Sequence, residues 1–164
     1  FFIVTDEGVA DQGFADETCD KASVDIPGKY IIDDGDIIFS WSGTLLLKLW
    51  VGGTGGLNQH LFRVTPHDFP KWFVFFWIQN HMPFFKLISS SKATTMGHIN
   101  RNHLDESKVI IPSKELITKA DLIIGPIFEQ IINLSIENRK LIDLRDSLLP
   151  KLMSGELDIS DIQF

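Results

Sequence analysis

The sequence has only one cysteine, Cys19, among its 164 residues. A single thiol forms no disulfide within the chain, which fits a protein of the reducing cytoplasm. Long apolar runs are missing too, because the most apolar stretch, 72–78, is about a third of the roughly 20 residues that a membrane-spanning helix needs. We therefore expect a soluble cytoplasmic protein with neither a signal peptide nor a membrane segment.

The residue clusters that enzymes and metal sites require are also missing. Cys19 has acidic neighbours that disfavour its thiolate and no nearby histidine to activate it. His98 and His103 are five residues apart, but no cysteine or second histidine pair completes a zinc site. The glycine-rich stretch 52–56 lacks the lysine of a phosphate-binding loop, and 33–36 lacks the closing glutamate of a calcium loop. Both stretches read better as turns, and we predict a binding protein with no catalytic residues, metal or cofactor.

Charge is distributed unevenly along the chain. The sequence has 22 acidic and 15 basic side chains, a net charge of −7, which as an average argues against a nucleic-acid partner. Residues 37–104, however, contain one acidic and six basic side chains, a net charge of +5, together with all five histidines. This middle segment can present a basic face to phosphates, or it can simply be the core-rich part of the chain, where acids are rare.

The first half of the chain has the pattern of a small β-rich domain. The first four residues look like a strand, which suggests that the chain begins inside a longer protein, and the polar stretch 6–29 reads as a loop. Short β-rich runs separated by turn signals follow at 30–32, 36–40, 45–51 and 59–65. This pattern predicts a small, curled, antiparallel or mixed sheet.

An aromatic helix and a polar loop follow the predicted sheet. Pro70 suits the first turn of a helix, and the aromatic residues after it keep helical spacing. We expect a helix that ends near 81–83, with a second short helix after it, and we expect its rings to pack as core. Residues 89–102 read as a loop rich in hydrogen-bond donors, and 108–111 as a strand.

Near the C-terminus, apolar residues recur alternately every three and four positions for five heptads, which is the pattern of a coiled-coil seam. Ser113 is a good N-cap, so the helix should begin at Lys114, and Pro150 and Gly155 mark its end. Its length is about 55 Å if straight, so it should project from the domain. Pro126 predicts a kink or two abutting helices. The residues expected to pair with another helix are Ile124, Ile127, Ile131, Leu134, Asn138, Leu141, Arg145 and Leu148.

Two of these seam positions are polar. Asn138 and Arg145 occupy inward positions in the C-terminal half of the predicted seam. Buried polar residues in coiled coils commonly fix register or partner number, so these two are candidate specificity devices. Apolar residues beside the seam widen the apolar face, which suggests more than one packing partner. Packing on the helix's own domain accounts for the N-terminal third of the helix but not for its full length.

Four segments resemble the DNA specificity (S) subunits of type I restriction-modification systems. In chain order they are IPGKYIIDDGDIIFSWSGT from Ile26, LNQHLF from Leu57, KATTMGHI from Lys92 and LRDSLLPKLMSGEL from Leu144. The resemblance spans roughly residues 7–157. Each motif is moderately specific, and the four in this order, ending in the long helix, carry the identification.

The resemblance implies an α+β chain: a small curled target recognition domain with packed helices over 1–112, whose start looks incomplete, a long projecting coiled-coil-type helix over 113–155, and a tail over 156–164. Such a domain reads one half of a split double-stranded DNA target. A complete S subunit has two units whose helices pair antiparallel as a molecular ruler. This sequence contains one unit, so the second half would come from homodimerisation or from the same longer chain. Methyltransferase (M) subunits would bind alongside, and the restriction (R) subunit would complete the nuclease.

The resemblance also guides the choice of DNA-contacting residues. Ser-Gly-Thr and Asn-Gln motifs recur in family members that read different sequences, so they more plausibly shape the fold or touch the backbone. Base contacts should lie in variable polar loops, whose side chains suit base edges. The candidates are Lys92, Thr94, Thr95, His98 and Arg101, with Trp41, Lys48 and Gln59 ranked below them.

An alternative function stays open at the level of sequence. The overall acidity and the apparently missing start also fit an oligomerisation or scaffold fragment that does not itself read DNA. In both interpretations the chain is not an enzyme, and methylation and cleavage belong to partner subunits.

Overall fold

The computed structural model describes residues 2–4, 20–21, 27–41, 45–58, 60–91, 99 and 101–157, with side chains for all of these except 2–4, 20–21, 91 and 101. Within them lie seven strands, one short 3-10 helix at Gly28–Tyr30, and three α-helices. The strands are β1 (Phe2–Val4), β2 (Asp20–Lys21), β3 (Ile31–Ile32), β4 (Ile37–Ser40), β5 (Leu47–Leu49), β6 (Gly55–Leu57) and β7 (Leu61–Val64), and the helices are α1 (Lys71–Ser91), α2 (Arg101–Asp105) and α3 (Lys114–Met153).

The described strands form two small sheets. One has the order β2-β1-β6-β3, with β1 and β6 parallel and the other neighbours antiparallel. The other has the order β5-β4-β7 and is antiparallel throughout. The α+β class is confirmed, and so are the mixed pairing and the strands expected around 31, 38, 48 and 62.

The central strand β4 is buried on both faces, which explains its apolar run from Ile37 to Phe39. On one face, Ile38 packs with Ile32 and Trp50 in a cluster shared with the other sheet. On the opposite face, Phe39 packs against Met82 and Phe85 of α1. A small domain thus buries its apolar surface in two thin layers on either side of one strand.

Helix α1 runs through Pro83, although the sequence predicted a helix ending at 81–83 and a second one after it. A proline inside a helix costs about 3 kcal/mol because it removes one hydrogen bond and crowds the preceding turn. Met82 and Phe85 are buried on either side of Pro83, which is itself exposed. Burying two such side chains contributes about 1.5–3 kcal/mol each, enough to offset that cost.

Helix α3 begins and ends where the sequence predicted. The Ser113 side chain accepts a hydrogen bond from the Leu116 backbone N–H at 3.3 Å, and Gly155 takes the left-handed conformation just after the helix, with φ of 75°. The helix is continuous over 40 residues, so of the two alternatives expected at Pro126 the abutting helices are wrong and the kink stays a prediction. Phe128 and Ile132 are buried just after this proline, and their packing stabilises the helical conformation there.

Two other expectations, a strand at 108–111 and a turn throughout 52–56, differ from the structure. Residues 108–111 form no strand, and Val109 and Ile111 instead line a groove beside α1. The stretch 52–56 is a turn only in its first part, because Gly55 and Gly56 open the buried strand β6 between β1 and β3. Glycine is a poor strand former, so tertiary pairing and not local preference creates this strand.

None of the helices in the described ranges is long and apolar enough to cross a membrane.

Candidate nucleic-acid interface

Main-chain hydrogen bonds bring three parts of the chain together at one end of the three-stranded sheet. The Trp41 N–H donates to the His60 carbonyl oxygen at 3.3 Å, and the Ile99 N–H donates to the Trp41 carbonyl oxygen at 3.0 Å. We call this group, Trp41, His60 and Ile99, the loop corner. Each member belongs to one of the polar stretches that the sequence selected for residue types that suit base edges, namely 40–44, 58–60 and 89–101.

Aromatic rings cover the loop corner. The Trp41 ring stacks on the Phe62 ring with centroids 6.1 Å apart and planes 21° apart, and it lies 6.2 Å from the His60 imidazole. Phe62 is about half exposed. The Nδ1 atom of His60 is buried, and no described group forms a hydrogen bond with it.

Most of the predicted base-contacting residues lie outside the described residues. This applies to Lys92, Thr94, Thr95, His98 and Gln59. The backbone of Arg101 begins α2, two residues after Ile99 of the loop corner. Trp41 belongs to the loop corner itself. Lys48 lies on the edge strand β5 opposite Ile38, two residues along β4 from the end that carries the corner.

The basic residues of the middle segment have mixed roles. Arg63 donates to the Ile31 carbonyl oxygen at 2.7 Å and lies 3.8 Å from the Asp36 carboxylate. Lys71 donates to the Gly35 carbonyl oxygen at 2.9 Å. Lys86, by contrast, is exposed on the half of α1 that packs at the loop corner. At least two of the six positive charges therefore stabilise the domain internally, and the net charge of +5 overstates the basic surface.

The acidic turn at 33–36 accepts hydrogen bonds from the neighbouring turn at 52–54. The Gly53 N–H donates to the Asp34 carboxylate at 2.7 Å, and the Thr54 hydroxyl donates to the Asp33 carboxylate at 2.6 Å. Gly53 has φ of 77°, which favours glycine. The prediction of two turns at these stretches is confirmed for 33–36 and 52–54, and the structure adds that the turns are joined to each other.

The Asn58 side chain also shapes the fold. Its carbonyl oxygen accepts a hydrogen bond from the His60 N–H at 2.9 Å, closing the turn that precedes β7. This contact agrees with the expectation that the Asn-Gln motif is structural.

Helix α3 packs on its own domain along one stripe, the inner stripe. Phe128 and Ile132 join a cluster with Trp72 and Phe73 of α1. Further along, Arg139 donates to the carbonyl oxygen of Val51 and to the Asp34 carboxylate, the latter at 3.2 Å. The sequence assigned domain packing to the N-terminal third of the helix, whereas the inner stripe reaches Arg139, well past its middle.

A second apolar stripe, the outer stripe, lies roughly a quarter-turn or more around α3 from the inner one. Four of its members, Ile127, Ile131, Leu134 and Leu141, are between 45% and 57% exposed, and Leu148 is 37% exposed. Asn138 is exposed on the same stripe, whereas Ile124 is half-buried against the domain cluster. The predicted width of the apolar face therefore resolves into two stripes, and all predicted pairing residues except Ile124 are on the exposed one.

Arg145 already has a partner on its own helix. Its Nε atom donates to the Asp146 carboxylate at 2.7 Å, with both side chains more than half exposed. This hydrogen bond raises the pKa of Arg145 and lowers the pKa of Asp146 below its usual value.

Within the ranges described, no group of three or more histidine, cysteine, aspartate or glutamate side chains is placed to hold a metal ion.

Three functional features escaped the sequence reasoning. Phe62 has no motif that marks it as a surface ring. Asp121 and Arg139 hold α3 on the domain through contacts 49 and 105 residues away in sequence. Arg139 lies off the predicted seam among polar neighbours, and its partners could not be identified without the topology.

These features define a binding module: a small α+β domain whose polar segments adjoin one corner, carried on a long helix with an exposed apolar stripe. The chain belongs to the type I restriction modification DNA specificity domain family, whose profile matches residues 17–145. It is 29% identical over 153 residues to the type I restriction enzyme HindI specificity subunit of Haemophilus influenzae, which covers 89% of this chain and 33% of that protein. It is also 32% identical over 77 residues to the MjaIX specificity subunit of Methanocaldococcus jannaschii, covering 47% of this chain and 18% of that protein. The chain thus spans a third or less of the length of these relatives.

Proposed function

We propose that this chain reads one half of a split DNA target within a type I restriction-modification assembly, and that the loop corner faces the DNA. The observation that carries this proposal is the main-chain hydrogen bonding of Trp41 with His60 and Ile99, which come from three separate polar parts of a chain of the DNA specificity family. Side chains from separate segments that meet at one place can reach neighbouring base pairs together.

Residue chemistry suggests which side chains contact bases and which contact phosphates. Lys92, Thr94, Thr95, His98 and Arg101 contact bases or adjacent phosphates, and Gln59 and Lys48 assist from the flanks. Trp41 and Phe62 present stacked ring surface at the loop corner. The exposed Lys86 adds positive charge at this end of α1, which supports phosphate contacts.

The outer stripe of α3 is the proposed pairing surface for the helix of a second recognition unit. That unit is either a second copy of this chain or a second domain of the same longer protein. The exposure of Ile127, Leu134 and Leu141 supports this role, since such side chains gain free energy when another helix covers them. Methyltransferase subunits dock alongside, the restriction subunit joins them, and both chemical steps belong to these partners.

Replacing Arg101 with alanine tests the DNA-reading half of the proposal. Arg101→Ala should weaken DNA binding by the assembled methyltransferase by about 1–3 kcal/mol if the guanidinium reads a guanine. Lys119→Ala, which removes one exposed positive charge from α3, is the matched control and should leave binding unchanged. Binding is measured by gel shift, and the methylated sequence by methylome sequencing of the host.

Unchanged binding and an unchanged methylation pattern in the Arg101 variant would remove this residue from the interface. Loss of binding in both variants alike would indicate a general charge effect instead.

The scaffold alternative is favoured by one observation, the long exposed apolar stripe of α3 in a chain of net charge −7. It predicts a dimer in light scattering that ignores DNA even when the methyltransferase is present. A dimer whose DNA binding depends on methyltransferase and on sequence supports the reading function instead.

A further inference from the structure

We infer that Asp121 and Arg139 are positioning residues that together fix the angle between the recognition domain and α3, and that this angle sets which distance between two half-sites the assembly accepts. The inference rests on the proposed function in its second part only. Its first part, the angle, is a property of the chain alone.

Asp121 and Arg139 each form a hydrogen bond between α3 and the domain, and these two bonds lie at opposite ends of the apolar contact between them. We call each of these polar contacts a pin. At the first pin, the Trp72 indole N–H donates to the Asp121 carboxylate at 2.7 Å. At the second, Arg139 donates to the Val51 carbonyl oxygen and to the Asp34 carboxylate. Between them, Phe128 and Ile132 supply the apolar part of the contact.

The spacing of the pins explains why two are needed. Asp121 and Arg139 are 18 residues apart on one face of α3, which is about 27 Å along the helix. An apolar contact centred between them is not directional, so by itself it tolerates rocking of the domain about the middle of the stripe. A hydrogen bond between helix and domain at each end removes that freedom, because each has a narrow range of distance and angle.

The pins are also tied to each other through the domain. Trp72, the first anchor, follows Lys71, whose ammonium donates to the carbonyl oxygen of Gly35. Gly35 is the neighbour of Asp34, the second anchor, and Asp34 in turn accepts from Gly53. These contacts therefore connect Trp72 to Asp34 through Lys71 and Gly35.

The second pin is the better one to remove. Arg139 is largely buried, with 16% of its side chain exposed, and its two acceptors lie in different turns of the domain. Arg139→Met keeps the length of the side chain and its packing but removes the charge and every donor. Arg139→Lys keeps the charge and part of the hydrogen bonding, and Lys140→Met removes an exposed positive charge from the next residue as the matched control.

The first measurement does not involve DNA. Spin labels at Ser90→Cys on α1 and Ser147→Cys on α3, in a Cys19→Ser background, report the distance between domain and helix by pulsed electron spin resonance. Arg139→Met should broaden the distance distribution, with Arg139→Lys intermediate and Lys140→Met the same as the parent. An unchanged distribution in Arg139→Met overturns the positioning role, whether or not the chain reads DNA.

The second measurement uses the assembled methyltransferase and duplexes that carry the wild-type split target with its spacer lengthened or shortened by one base pair. Half-site spacing is a geometric property of the protein, so a looser angle should relax it. Arg139→Met should lose about tenfold of its preference for the native spacer while methylating the native target nearly normally. Equal loss at all spacers would mark Arg139 as a folding residue only and would overturn the link to spacing, and a wild-type enzyme with no sequence preference would refute the proposed function while leaving the angle measurement valid.

Discussion

The two stripes of α3 contain similar amounts of apolar side chain but differ in what holds them. The inner stripe buries Phe128 and Ile132 and ends in hydrogen bonds to a carboxylate and a carbonyl oxygen of the domain. The outer stripe, within the ranges described, leaves Ile127, Leu134 and Leu141 about half exposed. The inner stripe of the helix is thus covered by its own domain, whereas the outer stripe is open to a second helix. The difference shows that heptad spacing alone does not tell which apolar residues a domain keeps for itself.

The largest expected effect lies on the inner stripe. Phe128 is 2% exposed, and its ring lies 5.6 Å from that of Phe75 and 5.9 Å from that of Phe76. Phe128→Ala should lower the free energy of unfolding by about 3–5 kcal/mol, because it leaves a cavity among aromatic rings. Ile127→Ala, the neighbour on the outer stripe, should cost far less. Urea unfolding at one low protein concentration compares them, and similar losses would erase the distinction between the stripes.

Substitutions of apolar residues on the outer stripe should weaken self-association and leave the free energy of unfolding of the monomer nearly unchanged. The double variant Leu134→Ala, Leu141→Ala removes two large side chains, each of which contributes about 1.5–3 kcal/mol when buried by a partner helix. Self-association measured by sedimentation should weaken strongly, whereas unfolding of the dilute monomer should change little. A chain that stays monomeric before and after the change would indicate that the partner helix is not a second copy.

A smaller effect is expected from the polar residue on the outer stripe. If Asn138 fixes the register of pairing, Asn138→Leu should tighten self-association a few-fold but permit mixed oligomers. Size-exclusion chromatography should then show broadened or multiple species. A single dimer of unchanged size would count against the register role.

The smallest effect should come from Arg145. Its ion pair with Asp146 is highly exposed, and such pairs contribute little. Arg145→Ala should leave the unfolding midpoint unchanged at neutral pH. The pKa of Asp146 is lowered in the folded chain, so any stabilisation from the pair is present above the ordinary carboxylate pKa and disappears as the pH falls through the lowered value. A variant that differs from the parent at neutral pH would give Arg145 a role outside this pair.

Much of the architecture could be predicted from local signals. The N-cap at Ser113, the left-handed glycine at Gly155 and the short strands between turns depend on neighbouring residues, which a sequence displays directly. Continuity through Pro83 could not be predicted, because it depends on what Met82 and Phe85 bury against. The strand at Gly55 arises in the same way, from partners far away in sequence.

The candidate site was predictable to a different extent. Residue chemistry selected the polar segments, and the structure adds that the described residues beside them meet at one corner. Residue chemistry alone could not select Phe62, whose importance comes from its position beside Trp41. Nor could residue chemistry separate the positive charges, since it does not show that Arg63 and Lys71 have acceptors within the domain.

The loop corner is held by main-chain atoms, through the Trp41 N–H, the His60 carbonyl and the Ile99 N–H. Hydrogen bonds of this kind form with almost any side chain at the same positions, because each non-proline residue supplies the same donor and acceptor. The sequence of the neighbouring segments can therefore change without loss of the main-chain hydrogen bonds that hold the loop corner. Under the proposed function, such a domain acquires a new target by substitution in a few short stretches while its core and its helix contacts stay as they are.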